Sequence, residues 1–169
     1  AIEHDAEHYA ALGQILHLRL RLGEPPDLPF SPAALRAFRQ ETLERIFRLL
    51  GLRYDQRDIY DAYLGITSAN QGLRDSAVEF VDNLVDYDTR RFLLPLLDDP
   101  DGTQALETGR RHFGRALQSP GAARTYLASV DDPRLATLLH SDLDVALPTH
   151  SSNATDGTSL LSAPSTATE

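Results

Sequence analysis

The sequence predicts an all-α fold, an α-α superhelix (solenoid) of about seven to eight helices followed by a disordered C-terminal tail. Three observations predict it. Apolar residues recur at helical spacing in one short segment after another. Capping residues, several followed by proline, open the segments. The turns at residues 69–71, 99–101 and 132–134 return at intervals of 30 and 33 residues, the period of paired helices in a stacked repeat.

The elements follow in order. A first helix is expected over residues 2–22, with Ile2, Tyr9, Leu12, Ile15, Leu16 and Leu20 at three-to-four spacing. Gly23 and Pro25–Pro26 end it, and residues 24–30 connect it to the next. Ser31 as cap with Pro32 behind it starts a helix that runs to about residue 50, with Leu35, Phe38, Leu43, Ile46, Phe47 and Leu50 inward. Glu41 with Arg45, and Glu44 with Arg48, are favourably ordered i,i+4 pairs on it. Asp55 caps a helix over 56–67 that turns Ile59, Tyr63 and Ile66 inward.

A helix over 71–86 places Leu73, Ala77, Phe80, Val81 and Leu84 on one face, and Asp88 caps another through Leu97. Further helices are expected near 103–118, 120–130 and 133–141, the last two opened by Ser119–Pro120 and Asp132–Pro133. The Ser/Thr/Ala-rich end of the chain has little to bury and should be disordered. The organisation read from the chain is an N-terminal helix and connector (1–30), a helical-repeat domain (31–147) and a tail (148–169).

At 169 residues the chain is one domain, or one domain plus a tail, long enough to bury a core. A formal charge of −9 argues against a general nucleic-acid or anionic-membrane binder. There is no Cys, which removes disulfides, zinc–thiolate sites and a thiol nucleophile. All 16 basic residues are Arg, so a lysine Schiff base and a P-loop lysine are excluded. No apolar run approaches the roughly 20 residues of a membrane span, and no signal-peptide pattern stands at the start. The chain has no Met. Either an initiator Met has been removed or the chain is a piece of a longer protein, and the helical pattern of the first residues favours the second.

Candidate chemistry is sparse. His4, Glu7 and His8 match H-x-x-E-H, which on a helix puts two imidazoles on one face as a zinc peptidase requires. A third ligand is missing from the pattern, and a solvated polar face explains the same letters. Asp98, Asp99, Asp101 and Gly102 with Glu107 miss the spacing of a calcium loop and read as an acidic turn that caps the next helix. Glu79, Asp82, Asn83 and Asp86 share a helix face, where carboxylates more often face water or pair with an arginine, here Arg45, Arg48 or Arg53, than act as acid and base.

The charge distribution is more informative. Arg36, Arg39, Arg45, Arg48, Arg53 and Arg57 meet only Glu41, Glu44 and Asp55 between residues 31 and 57, so the remainder of the chain carries about −12. With Tyr54 and Tyr60, these Arg residues form the candidate partner-binding surface, suited to an acidic protein. No nucleophile elbow and no glycine-rich phosphate loop occur.

Three strings carry a family likeness: Glu44-Arg45-Ile46-Phe47-Arg48-Leu49-Leu50-Gly51-Leu52, Asp58-Ile59-Tyr60-Asp61-Ala62-Tyr63, and Ala77-Val78-Glu79-Phe80-Val81-Asp82-Asn83-Leu84. They resemble the region just after the membrane domain in bacterial carriers of the ATP/ADP-translocase-like family. Those are major-facilitator-type nucleotide transporters, many with a HEAT-like helical-repeat extension. The likeness covers about a third of the chain. It implies a HEAT-like or armadillo-like soluble domain without transport residues of its own. The function implied is a non-catalytic interaction or scaffold domain with no cofactor. It would sit in the cytoplasm, peripheral to the inner membrane, and its partner would be a membrane protein or membrane complex. Two other readings remain open: a small metal-dependent hydrolase built on His4 and His8, and a nucleotide-sensing regulatory domain that binds phosphates through its Arg residues.

Overall fold

The computed structural model describes residues 1–23, 28, 30–99, 102–133 and 135, and is all-helical over them, with no strand. Among the described residues seven helices follow one another: α1 (Ile2–Leu22), α2 (Pro32–Leu50), α3 (Gln56–Ile66), α4 (Gln71–Leu84), α5 (Tyr87–Leu97), α6 (Ala105–Phe113) and α7 (Pro120–Ser129). No helix of the described residues is long and apolar enough to cross a membrane. The tail expected at 148–169 lies outside the described residues, as does the helix expected at 133–141 apart from residues 133 and 135.

Capping chemistry sets most boundaries. Ser31, Asn70, Asp86 and Ser119 each accept a backbone N–H three residues on, and Asp55 accepts from Arg57 and Asp58. These side chains satisfy amides that the first turn leaves without a helical partner. The cap expected at Asp88 is Asp86, because its carboxylate reaches both the amide and the hydroxyl of Thr89, at 3.1 and 3.0 Å. The helix expected over 103–118 is the shorter α6, stopped by Gly114 in the left-handed conformation (φ 65°).

Two apolar clusters form the interior. One joins the first half of α1 to the end of α2 and to α3, α4 and α5, around Ile46, Leu50, Val81, Leu93 and Leu96. The other joins the second half of α1 to the start of α2, to α7 and to Phe30, Leu117 and Leu135. The α1–α2 pair therefore runs through both, each helix contributing opposite halves to each cluster.

Helix α1 packs on α2, α5, α6 and α7, whereas α2 through α6 also pack in sequence order. A stack in which each helix meets only its sequence neighbours would leave α1 away from α6 and α7. The closure depends on small residues. Alanine Cβ atoms built at Gly13 and Gly102 would lie 2.9 Å from Ala105 Cβ and 2.5 Å from the Gly13 carbonyl oxygen. Beside this crossing the buried Gln14 amide donates to the carbonyls of Ala105 and Arg115 (3.1 and 3.3 Å) and accepts from Leu117 N–H at 2.6 Å. One side chain thus satisfies three backbone groups where α6 gives way to the α7 approach.

Candidate interaction surface

The α2–α3 hairpin carries most of the residues singled out in the sequence. Its two helices meet through Phe47 and Tyr63, whose rings lie 5.6 Å apart, and Gln40 donates to the Tyr63 hydroxyl at 2.8 Å. Above this contact an open apolar groove of about 480 Å³ runs between the helices, lined by Phe47, Gly51, Ile59, Tyr60 and Tyr63 and edged by Glu44, Arg48 and Gln56. Tyr60 keeps 60% of its surface exposed there.

The exposed apolar residues concentrate in the same part of the chain. Leu52, Tyr60, Leu64, Leu73, Phe80 and Tyr87 are six of the eight large apolar side chains left in water among the described residues, the other two being Leu20 and Leu22. Leu73 and Phe80 were expected in the core. On α4 the buried face is carried by Ala77 and Val81, and Gly65 of α3 approaches so closely that a Cβ there would lie 2.6 Å from Ala77 Cβ. That close crossing leaves no depth for the larger side chains, so they flank it.

The Arg-rich surface divides on inspection. Arg36 and Arg57 are exposed and form no ion pair among the described residues. Arg45 pairs with Asp5, Arg48 with Glu44, and Arg53 with Asp86 at 3.0 Å. The Arg48 and Arg53 pairs are largely exposed, and such pairs stabilise by about 1 kcal/mol or less, so a partner's carboxylate can replace the acid there at small cost, whereas Asp5 is buried and holds Arg45 in the fold. Arg39 is different and does not belong to the surface. It is buried, stacks 4.3 Å from the Tyr9 ring and donates to the Asp99 carbonyl at 2.9 Å. Its position on the inward face of α2, beside Phe38 and Thr42, puts it between the two apolar clusters.

Tyr54 is half-buried and acts within the fold. Its hydroxyl donates to Asp86 Oδ2 at 3.0 Å and accepts from Asp86 N–H at 3.1 Å, tying the α2–α3 turn to the start of α5. Hydrogen bonds from the Thr89 backbone, Tyr54 and the Thr89 hydroxyl, with Arg53 nearby, hold the Asp86 carboxyl at about 2, well below the usual carboxylate range. Removing one hydroxyl should cost about 1 kcal/mol. Tyr54→Phe is expected to lower the unfolding free energy by that amount, seen as a lower urea midpoint with an unchanged m-value, and an unaltered midpoint would show the bond to be without consequence.

The other acidic candidates also serve the fold. Asp82 pairs with Arg90 at 3.0 Å, and Asn83 donates to the Glu79 carbonyl. Asp99 accepts from the Thr103 and Gln104 amides, both at 2.7 Å, and so orders the turn before α6, whereas the cap expected on that helix is absent, since no side chain accepts from its first turn.

The H-x-x-E-H residues face a second, polar cleft of about 1020 Å³ between α1, α2 and α7. His4 is exposed, Glu7 is held by Arg115 at 2.7 Å, and His8 is buried with Nδ1 2.8 Å from the Tyr126 hydroxyl. Burial, with Arg45 next in importance, pulls the His8 imidazole down to about 4, while burial pushes the Tyr126 hydroxyl up to about 12. Among the described residues no three His, Asp or Glu converge as metal ligands. Six carboxylates (Asp5, Glu7, Glu41, Glu44, Asp131 and Asp132) line the cleft against three guanidiniums, an unfavourable setting for a phosphate. The His8–Tyr126 contact joins residues 118 positions apart and could not be read from local pattern.

Comparison with family profiles, with curated proteins and with solved structures finds no match for this chain.

Proposed function

We propose that this chain is a non-catalytic protein-interaction module, a helical scaffold whose working face lies between the end of α2 and the start of α5. The observation that carries the reading is the concentration of exposed large apolar side chains between Leu52 and Tyr87. Scattered apolar residues are normal on a surface, but six between the turn after α2 and the start of α5 are the composition of a docking face. In this reading the ordered polar groups of the His8 cleft serve the fold: Asp5, Glu7 and His8 each hold a residue of another helix or loop.

The partner is proposed to be a membrane protein or membrane complex, met on the cytoplasmic side of the inner membrane. Support for that part is the resemblance of residues 44–84 to the helical extension of nucleotide carriers. The test is recovery of a partner with the native protein against Leu73→Ser/Phe80→Ser. Both side chains are exposed, so the variant is expected to keep its melting temperature within a few degrees. Partner recovery should fall at least tenfold. Equal recovery from both proteins would remove the α4 face from the account.

A further inference from the structure

We infer that the polar cleft between α1, α2 and α7 binds an aliphatic amine that carries two or more ammonium groups. The inference goes beyond the interaction reading and does not depend on it, because neither Leu73 nor Phe80 lines this cleft.

Charge selects a cation. The cleft, of about 1020 Å³, lies at the upper end of the sizes usual for small-molecule sites. Among the described residues its lining holds six carboxylates and three guanidiniums, three more negative charges than positive ones with the histidines neutral. Each guanidinium is engaged by a carboxylate of the same lining: Arg45 by Asp5, Arg48 by Glu44 and Arg115 by Glu7. The first and third of these pairs brace the walls, joining α1 to α2 and to the segment after α6. Glu41 stands on α2, and Asp131 and Asp132 stand just beyond α7, so acids face the cleft from two sides. A concave surface lined in excess by one sign of charge concentrates ions of the other sign.

A buried side chain supplies a second, independent indication. His8 is 5% exposed and stands in the cleft wall, with Nδ1 2.8 Å from the Tyr126 hydroxyl. Its Nε2 has no hydrogen-bond partner among the described residues. Buried polar atoms are seldom left so, because desolvation without a compensating bond is costly. With the ring hydrogen on Nδ1 and donated to Tyr126, Nε2 keeps a lone pair that an ammonium N–H can meet. Burial and Arg45 keep the imidazole neutral at pH 7, as that lone pair requires.

The rest of the lining favours an organic cation over a metal ion. No three His, Asp or Glu converge among the described residues. Phe38, Val130 and Pro133 place apolar wall between the acids. Methylene segments can lie along such wall while the ammonium groups reach the carboxylates, as lysine stems do on protein surfaces.

Titration calorimetry of the full chain with spermidine tests the inference, with magnesium and butylamine as comparison ligands. Spermidine should occupy a single site and bind about tenfold or more tighter than either. Glu41→Gln/Asp131→Asn changes two exposed acids of the cleft and should weaken spermidine about tenfold. Asp75→Asn/Glu79→Gln removes the same charge from the exposed side of α4, outside the cleft, and should leave binding unchanged. In NMR spectra the His8 ring nitrogens should shift on saturation with spermidine while those of His112 stay in place. Equal losses from the two double variants would reveal only the general attraction of an acidic chain, and would overturn the inference. An unmoved His8, or magnesium binding as tightly as spermidine, overturns it as well. Partner recovery with Leu73→Ser/Phe80→Ser reports separately on the interaction reading.

Discussion

Gly102→Ala should destabilise the protein by roughly 3 kcal/mol or more, through left-handed backbone strain and through overpacking of the α1–α6 crossing. Gly102 has φ +75°, a conformation that side chains resist, and its missing Cβ would sit 2.5 Å from the Gly13 carbonyl oxygen and 2.9 Å from Gly13 Cα. The obstacle is backbone, so it cannot rotate away. Helix α1 must move off the α6 approach, which also strains the Gln14 bonds to Ala105, Arg115 and Leu117. Gly114 provides the control. It also has positive φ (+65°), but nothing lies within 4 Å of its built Cβ. Gly114→Ala should therefore cost only the conformational part, about 1 kcal/mol. Urea unfolding of both variants separates the two contributions, and equal losses would mean that the crossing is not tightly packed.

The second large effect is on acid stability. His8 titrates near 6.5 in an unfolded chain and at about 4 in the fold. Between these values the unfolded state binds the proton and the native state does not. Stability therefore rises with pH across this window, is complete above 6.5, and is lost as pH falls toward 4. The shift corresponds to roughly 3 kcal/mol. The charged neighbours of the imidazole are Arg45 and His4, which oppose protonation, and Asp132 and Asp5, which favour it less strongly than burial opposes it. His112 is also lowered, by burial and by Arg91 and Arg111, so some slope remains without His8. Asp86, at about 2, acts only at lower pH. His8→Gln keeps a polar group facing Tyr126 and is expected to remove most of the loss between pH 7 and 4. A variant as acid-sensitive as the parent would show that His8 is not the responsible group.

The helices were legible because their ends are local chemistry. Ser31–Pro32, Asp55 and Ser119–Pro120 mark starts that the structure reproduces, and the apolar spacing of residues 2–22 coincides with α1. Asp86 and Asp88 both offer a carboxylate near the same start, and only the reach to Thr89 decides between them. The inward face of α4 was misread at Leu73 and Phe80 because the closeness of Gly65 to Ala77 decides which side chains fit. Arg39 looked like one more member of a basic surface. Its burial follows from Tyr9 and Asp99, distant in sequence, which supply a ring face and a carbonyl. Likewise the packing of α1 against α6 and α7 depends on Gly13, Gly102 and Gln14, residues whose local pattern carries no signal of what they meet. The groove itself is half visible in the sequence: Arg48 and Tyr60 stand out by charge and residue type, while its floor of Phe47, Ile59 and Tyr63 reads simply as core.

The account depends on the α2–α4 face being where a partner binds. A photo-crosslinking residue placed at position 60, 64 or 73, and at exposed position 124 on α7 as a control, tests this in native cells. The account predicts one discrete adduct from the first three positions, absent from position 124. Adducts of equal yield from all four positions, or from position 124 alone, would contradict it.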